Sequence, residues 1–307
     1  MIYITGDTHR DFSRLFKLEE IEDDMLIILG DAGVNYCLND EDIRYKEYLK
    51  RFKIKLFCIR GNHEERPENI NSYKEVEMFG GKVFIEDDYP NLIFAKDGEV
   101  YNIDGKSVLV IGGAYSVDKE YRIMYGHKWF KNEQLSVKEI NDILEKVKGK
   151  HFDIVLTHTC PYKHEPREVF MQGLDQSKVD KSMEHFLDEI EESIDYDKWY
   201  CGHYHTEKQI DKIEFMFGRI KVFGKDEFVP KYNRDGYEII RDYCGQNDIH
   251  KDGNVVCPKC KSKNIIMQKG DGHDIYGLDE IAIICNDCKK VYGFNDVKYK
   301  PNCPKEL

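Results

Sequence analysis

Short apolar runs recur along the chain, and each is followed at once by a polar cluster. Four such runs occupy residues 1–5, 25–29, 55–59 and 152–156, and β-branched residues are common in them. Continuous apolar runs of this length are typical of strands that are buried on both faces of a sheet. We therefore expect the polar clusters to lie along one rim of the sheet, where open α/β folds bind ligands.

The polar clusters are rich in Asp, Asn and His, which bind borderline divalent ions. A mixed set of oxygen and imidazole ligands suits manganese, iron or zinc better than magnesium or calcium. Two such ions that share a bridging carboxylate can clamp a phosphoryl group and generate a hydroxide nucleophile at neutral pH. We assign Asp7, His9 and His205 to one ion, Asn62, His158 and His203 to the other, and Asp31 to the bridge.

The clusters read GDTH at residues 6–9, GD at 30–31, GNHE at 61–64, TH at 157–158 and GHYH at 202–205. In this order they resemble the calcineurin-like metallophosphoesterase superfamily over most of the chain before the C-terminal cysteines. The resemblance implies an α/β fold of α+β character, with four layers in which a β-sandwich is flanked by helices. It also implies a dinuclear phosphoesterase: a metal-bridging hydroxide attacks phosphorus, and His63 protonates the leaving oxygen or stabilises phosphate charge.

The second cluster departs from the pattern of that superfamily. Many members read GDxxDRG, whereas residues 30–35 read GDAGVN. Val34 therefore takes the place of the carboxylate that orients the motif-three histidine in phosphoprotein phosphatases, which weakens the interpretation as a protein phosphatase. The arginine of the motif is missing too. We expect Arg60 to hold phosphate oxygens instead, with Arg10 as a second candidate.

Residues 112–122 read GGAYSVDKEYR. Together with Trp129 and Glu133, this stretch resembles a subgroup of metallophosphoesterases that is common in bacteria and their phages. The glycines would let the backbone approach a ligand, and Lys119 and Arg122 are candidates for binding substrate phosphate. The alternative, in which these cations only brace a loop through ion pairs with neighbouring acids, stays open.

Local patterns also predict the segments between the motifs. Asn39 or Asp40 is placed to cap a helix that runs to residue 53, with Ile43 among its inward-facing residues. Residues 82–103 read as a run of antiparallel strands. A capping-box spacing at residues 136–139 precedes another helical pattern.

Length and composition limit the class of protein. The chain has 307 residues, of which 41% are hydrophobic, enough for one large core and a small second domain. A formal net charge of -12 argues against broad, sequence-independent binding to nucleic acid, because that binding depends on Lys and Arg. No run approaches the roughly 18 apolar residues of a membrane span. Since a strand begins at Met1 without a leader, we expect a cytoplasmic protein.

Two CxxC pairs predict a second, structural metal site. Cys257 and Cys260 form the first pair, Cys285 and Cys288 form the second, and 24 residues separate them. Four thiolates around one zinc ion would make a zinc ribbon, and a longer hairpin would absorb the spacer. A redox dithiol is the alternative, and Cys303 is a possible substitute ligand.

The ribbon would form a domain of its own. Polar, glycine-containing sequence near residue 245 suggests a phosphoesterase domain at residues 1–245 and a zinc-ribbon domain at residues 246–307. A domain of this size, about 60 residues, has little core and would need the metal for stability. Lysines beside both cysteine pairs allow a contact with nucleic acid, although we favour a protein contact.

Together, these sequence features predict a metal-dependent hydrolase of phosphate esters. We expect its substrate to be a phosphomonoester of a protein or a nucleotide. A phosphodiesterase or nuclease that acts on nucleic acid or cyclic nucleotides is one alternative, and a non-catalytic zinc-ribbon adaptor is another. The complete set of seven ligand candidates argues against the adaptor.

Overall fold

The computed structural model describes residues 1–18, 24–170, 175–229, 238–240, 250–251, 254–273 and 279–296. The chain divides into two compact units. Unit one comprises Met1–Arg14 and Glu20–Val229, and unit two comprises Leu15–Glu19 and Pro230–Leu307. The domain boundary predicted at residue 245 lies outside the described residues and stays a prediction.

Unit one combines many short strands with few helices. Its described elements are, in chain order, β1 (Ile2–Thr5), β2 (Met25–Ile28), α1 (Asp40–Leu49), β3 (Lys55–Cys58), β4 (Tyr73–Met78), β5 (Gly81–Glu86), β6 (Leu92–Ala95), β7 (Val100–Ile103), β8 (Lys106–Ile111), α2 (Lys119–Tyr125), α3 (Val137–Val147), β9 (His151–Thr157), α4 (Ser182–Ser193), β10 (Asp195–Cys201), β11 (Lys208–Ile210), β12 (Ile213–Phe215) and β13 (Lys221–Val222).

These strands form two sheets. The first sheet has the order β13-β1-β2-β3-β6-β5-β4, and the second has the order β11-β12-β10-β9-β8-β7. In the first sheet β1, β2 and β3 are parallel, and in the second sheet β8, β9 and β10 are parallel. Since parallel strands end at the same edge of a sheet, each sheet gathers its polar turns at one edge.

The two sheets face each other across the main core. Ile27 and Phe57 of the first sheet share one buried cluster with Val110 and Leu156 of the second. The outer face of the second sheet packs on α3 and α4, where Trp199 shares a separate cluster with residues of both helices. The predicted β-sandwich flanked by helices is therefore confirmed.

One feature of the predicted arrangement is wrong. We expected all polar clusters along the rim of a single sheet, but β1, β2 and β3 belong to the first sheet, whereas β9 and β10 belong to the second. The clusters still meet, because hydrogen bonds join the turns of one sheet to those of the other. His203 N–H, after β10, donates to Asp7 Oδ1, after β1, at 3.0 Å, and His158 Nδ1, after β9, donates to the Leu29 carbonyl, after β2, at 2.8 Å.

The helix caps predicted from the sequence are found in the structure. Asn39 accepts a hydrogen bond from Glu41 N–H at the start of α1, and Ser136 and Glu139 form the predicted capping box of α3. The inward orientation of Ile43 is wrong, since its side chain is 50% exposed. The buried face of α1 carries Asp42, Lys46 and Leu49 instead, two of which form buried ion pairs with partners outside the helix.

Two other segments differ from the sequence-based expectation. The run over residues 82–103 is divided between the sheets: β6 runs parallel to β3, and β7 pairs with β8 in the second sheet. Lys119–Tyr125 forms the helix α2, where we expected a loop. The longest described helix has 12 residues, and no described helix is long and apolar enough to cross a membrane.

Unit two contains the CxxC pairs. Its described strands are β14 (Glu238–Ile240), β15 (His250–Lys251), β16 (Asn254–Val255), β17 (Ile265–His273), β18 (Asp279–Cys285) and β19 (Lys290–Asp296). The antiparallel hairpin β17-β18 lies between the two CxxC pairs, as predicted for the long spacer. A small buried core contains Ile283 and Tyr292 together with two of the four cysteines, Cys257 and Cys285.

Candidate functional site

Four of the predicted ligands lie in an uncommon backbone conformation. The φ angles of His9, Asp31, His203 and His205 are 44°, 47°, 66° and 48°. Residues other than glycine seldom adopt this left-handed region, and holding one there costs on the order of 1–3 kcal/mol. Such strain is characteristic of functional sites, where the surrounding structure forces a side chain into a required direction.

Asp7, His9 and His205 form the first of two donor clusters. His205 Nε2 lies 3.1 Å from Asp7 Oδ2 and 2.9 Å from His9 Nε2. The hydrogen bond with Asp7 raises the pKa of His205 despite its partial burial. Burial alone would raise the pKa of Asp7, but the charge of His158 and the hydrogen bond with His205 outweigh it and lower that pKa. Both imidazoles of the cluster are partly open to solvent.

Asn62, His158 and His203 form the second donor cluster, which lies deeper. Asn62 Oδ1 is 2.8 Å from His158 Nε2 and 3.1 Å from His203 Nδ1. His158 Nδ1 donates to the Leu29 carbonyl at 2.8 Å, which leaves Nε2 as the nitrogen that can offer a lone pair to a cation. Burial lowers the pKa of His203 to about 3, which leaves that ring neutral at physiological pH.

Asp31 lies between the two clusters. Its Oδ2 is 3.8 Å from His9 Nε2 and 3.7 Å from His158 Nε2, and its Oδ1 accepts the backbone N–H of His63 at 2.8 Å. Burial alone would raise the pKa of Asp31, but the charges of the three histidines outweigh it and hold the pKa well below its usual range. The carboxylate thus faces both clusters, which is the position expected of a bridge.

The donor atoms fit a pair of divalent ions. His158 Nε2 and Asn62 Oδ1 lie 2.8 Å apart, and both atoms can offer a lone pair to a cation bound between them. The sets Asp7, His9, His205 and Asp7, Asp31, His158 each bring their ligand atoms within 4.8 Å of one another. Mixed oxygen and imidazole donors suit manganese, iron or zinc.

His63 lies beside this centre without belonging to either cluster. Its Nε2 is 3.9 Å from Asp31 Oδ2 and 3.4 Å from Arg122 Nη2. Burial lowers the pKa of His63, and the positive charge of Arg122 lowers it further. Arg122 is in turn held by Asp118 through an ion pair of 2.8 Å. Because Val34 stands at the position of the orienting carboxylate, His63 has no such partner from the second motif. The neighbour of His63 is the guanidinium of Arg122, which is paired with Asp118.

The positions of Arg60 and Arg10 do not support the phosphate contacts expected from the sequence. Arg60 is 2% exposed, and its guanidinium donates to Asp97 and to the Glu133 carbonyl. Arg10 forms ion pairs with two acids of α1, one of which is the buried Asp42. Both cations are therefore engaged in holding loops and helices together.

Arg122 and Lys119 both lie on α2, which is open to solvent. None of the residues of α2 is buried, and Tyr121, Ile123, Met124 and Tyr125 are each more than half exposed. Lys119 Nζ lies 4.3 Å above the centre of the Trp129 ring. Arg122 reaches His63, and so the helix places an exposed apolar surface at the edge of the metal centre.

Ser116 contacts the candidate ligand Asn62, and Glu133 contacts Ser116, although no sequence motif predicted a role for either residue. Ser116 Oγ accepts a hydrogen bond from Asn62 Nδ2 at 2.9 Å and lies 2.5 Å from Glu133 Oε2. Ser116 N–H also donates to Glu133 Oε1 at 3.1 Å. The only signal in the sequence was that both residues belong to the stretch that resembles the bacterial and phage subgroup.

Glu64 is a third residue for which the sequence predicted no role. It closes the GNHE motif and is 1% exposed, and its carboxylate accepts the backbone N–H groups of Gly61 and Gly33 at 3.3 and 3.2 Å. Burial, with a further contribution from the charge of Asp31, raises the pKa of Glu64 to about 8. Glu64 therefore holds the turns on both sides of the bridging carboxylate.

The four cysteines of unit two form a separate cluster. Cys257 Sγ lies 3.5 Å from Cys288 Sγ, and Cys260 Sγ lies 3.6 Å from Cys285 Sγ. Four thiolates at about 2.3 Å from one zinc ion have sulfur atoms about 3.8 Å apart in a tetrahedron, close to these separations. Burial would raise the pKa of Cys257, but backbone N–H donors within the same turn lower it to about 7. The cluster thus fits one structural zinc ion.

Comparison with known proteins agrees with this geometry. Residues 1–207 match the sequence model of a family described as calcineurin-like phosphoesterase. The matched region contains all seven predicted ligands, from Asp7 to His205. No curated protein matches the chain.

Proposed function

The chain belongs to the calcineurin-like phosphoesterase family, and on that premise we propose that it hydrolyses phosphomonoesters at two divalent metal ions. The family membership supports metal-dependent hydrolysis of phosphate esters. The ligand assignment and the substrate class are our proposal. One observation carries it: turns from two sheets bring six donor residues together around a seventh, the carboxylate of Asp31.

We assign the ions to the two donor clusters. Asp7, His9 and His205 would hold one ion, Asn62, His158 and His203 the other, with Asp31 shared between them. When bound, such a pair supplies a hydroxide nucleophile at neutral pH and neutralises negative charge on the phosphoryl group.

His63 is placed to act on the leaving group. It lies beside Asp31 but outside both clusters, and its side chain is 20% exposed, so that a substrate can reach it. The lowered pKa makes the free ring neutral. An adjacent phosphate would favour the protonated ring, because an anion nearby stabilises the imidazolium form. His63 would then donate a proton to the leaving oxygen.

Arg122 supports a phosphomonoester as substrate. Its guanidinium lies 3.4 Å from His63 Nε2 and is oriented by Asp118. A terminal phosphate carries up to two negative charges, and a planar guanidinium can bind two of its oxygens at once. Lys119 lies one helical turn away, over Trp129, and we assign it a weaker role at the substrate side.

The exposed surface of α2 favours a nucleotide over a smaller phosphate ester. Tyr121 and Tyr125 lie with ring centres 4.6 Å apart and are largely exposed. Exposed aromatic rings beside a cation are suited to stacking on a nucleobase, which contributes about 1–3 kcal/mol per base. The same observation supports the second candidate function, a phosphodiesterase that acts on nucleotides or nucleic acid.

Two chromogenic substrates separate these possibilities. We expect the protein with Mn²⁺ to hydrolyse p-nitrophenyl phosphate faster than bis-p-nitrophenyl phosphate, and the reverse order would select the diesterase. His63→Ala should lower kcat by about 100-fold or more without changing Mn²⁺ affinity. His185→Ala, a change at an exposed histidine that packs against Tyr162, is the matched control. Failure of the unaltered protein to cleave either substrate would disprove the proposal.

For unit two we propose one zinc ion that stabilises the ribbon and a contact with another macromolecule. A closed set of four thiolates leaves no open position for chemistry. Exposed lysines at the cysteine turns allow either a protein or a nucleic acid as partner. Removal of residues 246–307 should lower affinity for that partner and leave turnover of p-nitrophenyl phosphate unchanged. Equal binding by both forms would rule out the contact.

A further inference from the structure

Asn62 can serve as a metal ligand only if its amide is oriented correctly. The amide has an oxygen, which can bind a cation, and an NH₂ group, which cannot. A rotation by half a turn about the last side-chain bond exchanges the two groups with little change in shape. The proposed second ion therefore depends on contacts that distinguish the two orientations.

Those contacts lie on the far side of the amide. Asn62 Nδ2 donates to Ser116 Oγ at 2.9 Å, and Ser116 Oγ lies 2.5 Å from Glu133 Oε2. All three residues are at most 3% exposed. In this arrangement the single hydroxyl proton of Ser116 goes to Glu133, and the oxygen is left as an acceptor toward Asn62.

The polarity of this chain is set by Glu133 as a carboxylate. Ser116 N–H donates to Glu133 Oε1 at 3.1 Å, and Ser116 Oγ donates to Glu133 Oε2. An ionised carboxylate accepts at both oxygens. A rotated Asn62 amide would bring its oxygen against Ser116 Oγ, whose proton is already used, and the NH₂ group against His158 Nε2. The first of these contacts is repulsive and the second removes the metal ligand.

We infer that Ser116 and Glu133 are positioning residues that hold Asn62 Oδ1 toward the second metal ion. This inference rests on the proposed function, because it presumes the metal centre. It goes beyond the proposed function by giving a role to the segment between β8 and α3. That segment carries Arg122, at the substrate side, and the two residues that orient Asn62. Neither Ser116 nor Glu133 touches substrate or metal in this role.

An isosteric change tests the polarity directly. In Glu133→Gln the side-chain oxygen must stay with Ser116 N–H, and the NH₂ group then faces Ser116 Oγ. The hydroxyl proton is redirected to Asn62, which favours the rotated amide. We expect this variant to lose about 10- to 100-fold in Mn²⁺ affinity at the second site, the usual effect of losing a partner of a metal ligand. A role in packing alone predicts no loss, because size and shape are retained.

The measurement is calorimetric titration of the full-length protein with MnCl₂ after mild chelation. Ser116→Ala should resemble Glu133→Gln in affinity for the second ion, while the first ion binds as in the unaltered protein. A matched pair of controls exists away from the centre, where Ser177 donates to Asp175 through both its N–H and its hydroxyl. Ser177→Ala and Asp175→Asn should leave both ions bound with unaltered affinity.

The outcomes separate this inference from the proposed function. Two Mn²⁺ ions bound by the unaltered protein and by Glu133→Gln with equal affinity would overturn the positioning role alone. Binding of fewer than two ions by the unaltered protein would refute the proposed dinuclear centre itself. Selective loss of the second ion in both variants, with the Ser177 and Asp175 controls unaffected, is the result that we expect.

Discussion

Replacing Gly30 by alanine should damage the metal centre through one defined clash. Gly30 precedes the bridging carboxylate and has a φ angle of 109°. A Cβ atom at this position would lie 2.0 Å from His158 Nδ1. Ordinary van der Waals contact begins at 3.4 Å, and so the imidazole or the turn would have to move by about 1.4 Å. This displacement is far larger than the roughly 0.2 Å by which metal–ligand distances vary.

Two separate effects should follow from this change. The strained backbone should lower the free energy of unfolding by about 1–3 kcal/mol. The displaced ring should lower Mn²⁺ affinity and kcat/KM by about 100-fold, since an error of 1 Å in such a site has an effect of this size. The ring would also lose its hydrogen bond to the Leu29 carbonyl, which sets the nitrogen that faces the ion.

Gly149→Ala is a matched control for the backbone effect. Gly149 has a φ angle of 72°, and no described atom lies within 4 Å of the Cβ that alanine would add. Urea denaturation should show a loss of about 1–2 kcal/mol from the left-handed conformation, with Mn²⁺ binding unchanged. If Gly30→Ala binds two Mn²⁺ ions as tightly as Gly149→Ala does, then the close approach of Gly30 and His158 does not matter for the site.

Three further predictions concern other parts of the molecule. Arg122→Ala should lower kcat/KM for p-nitrophenyl phosphate by about 10- to 100-fold, and Arg122→Lys should recover only part of it because lysine lacks the planar fork. Glu139 has a pKa lowered to about 2, against the effect of burial, by its hydrogen bonds with Ser136 and Arg66. Its stabilisation should therefore be present above pH 4.5 and lost toward pH 2, and Glu139→Gln should cost about 1 kcal/mol at pH 7 and little at pH 2 in urea titrations. Cys285→Ser should remove one equivalent of zinc, as measured by elemental analysis, and destabilise the β17-β18 hairpin while Mn²⁺ binding persists.

The positions of the candidate ligands at strand ends could be predicted from sequence, because each position depends on local residues. A buried strand followed by a short turn fixes where a side chain emerges, and this holds without knowledge of the strand's neighbours. Asp7 and Asn62 could therefore be placed at strand ends from residues within a few positions of them. The caps of α1 and α3 were predictable for the same reason, since a cap is a contact between residues at most three positions apart.

The structural features that could not be predicted from the sequence depend on contacts between segments that are distant along the chain. The division of the strands into two sheets is set by pairing over long separations, which periodicity does not report. The orientation of α1 was mispredicted because Asp42 and Lys46, polar residues that a hydrophobic pattern assigns to the surface, find buried ionic partners in other elements. Arg60 was misassigned in the same way, since its partner Asp97 is 37 residues away.

The strained turns and the convergence of donor atoms at the centre have one explanation in common. His9, Asp31, His203 and His205 hold left-handed backbone angles, and their side chains converge on one another and on the other candidate ligands. A fold selected for stability alone would relax both features, because either can be relieved by turning a side chain toward solvent. Here buried groups prevent that: Glu64 holds the turns beside Asp31, and Ser116 holds the amide beside His158. Under the proposed function, the binding energy of the ions would offset the strain, and the surroundings of the ligands would then be as much a part of the metal centre as the ligands themselves.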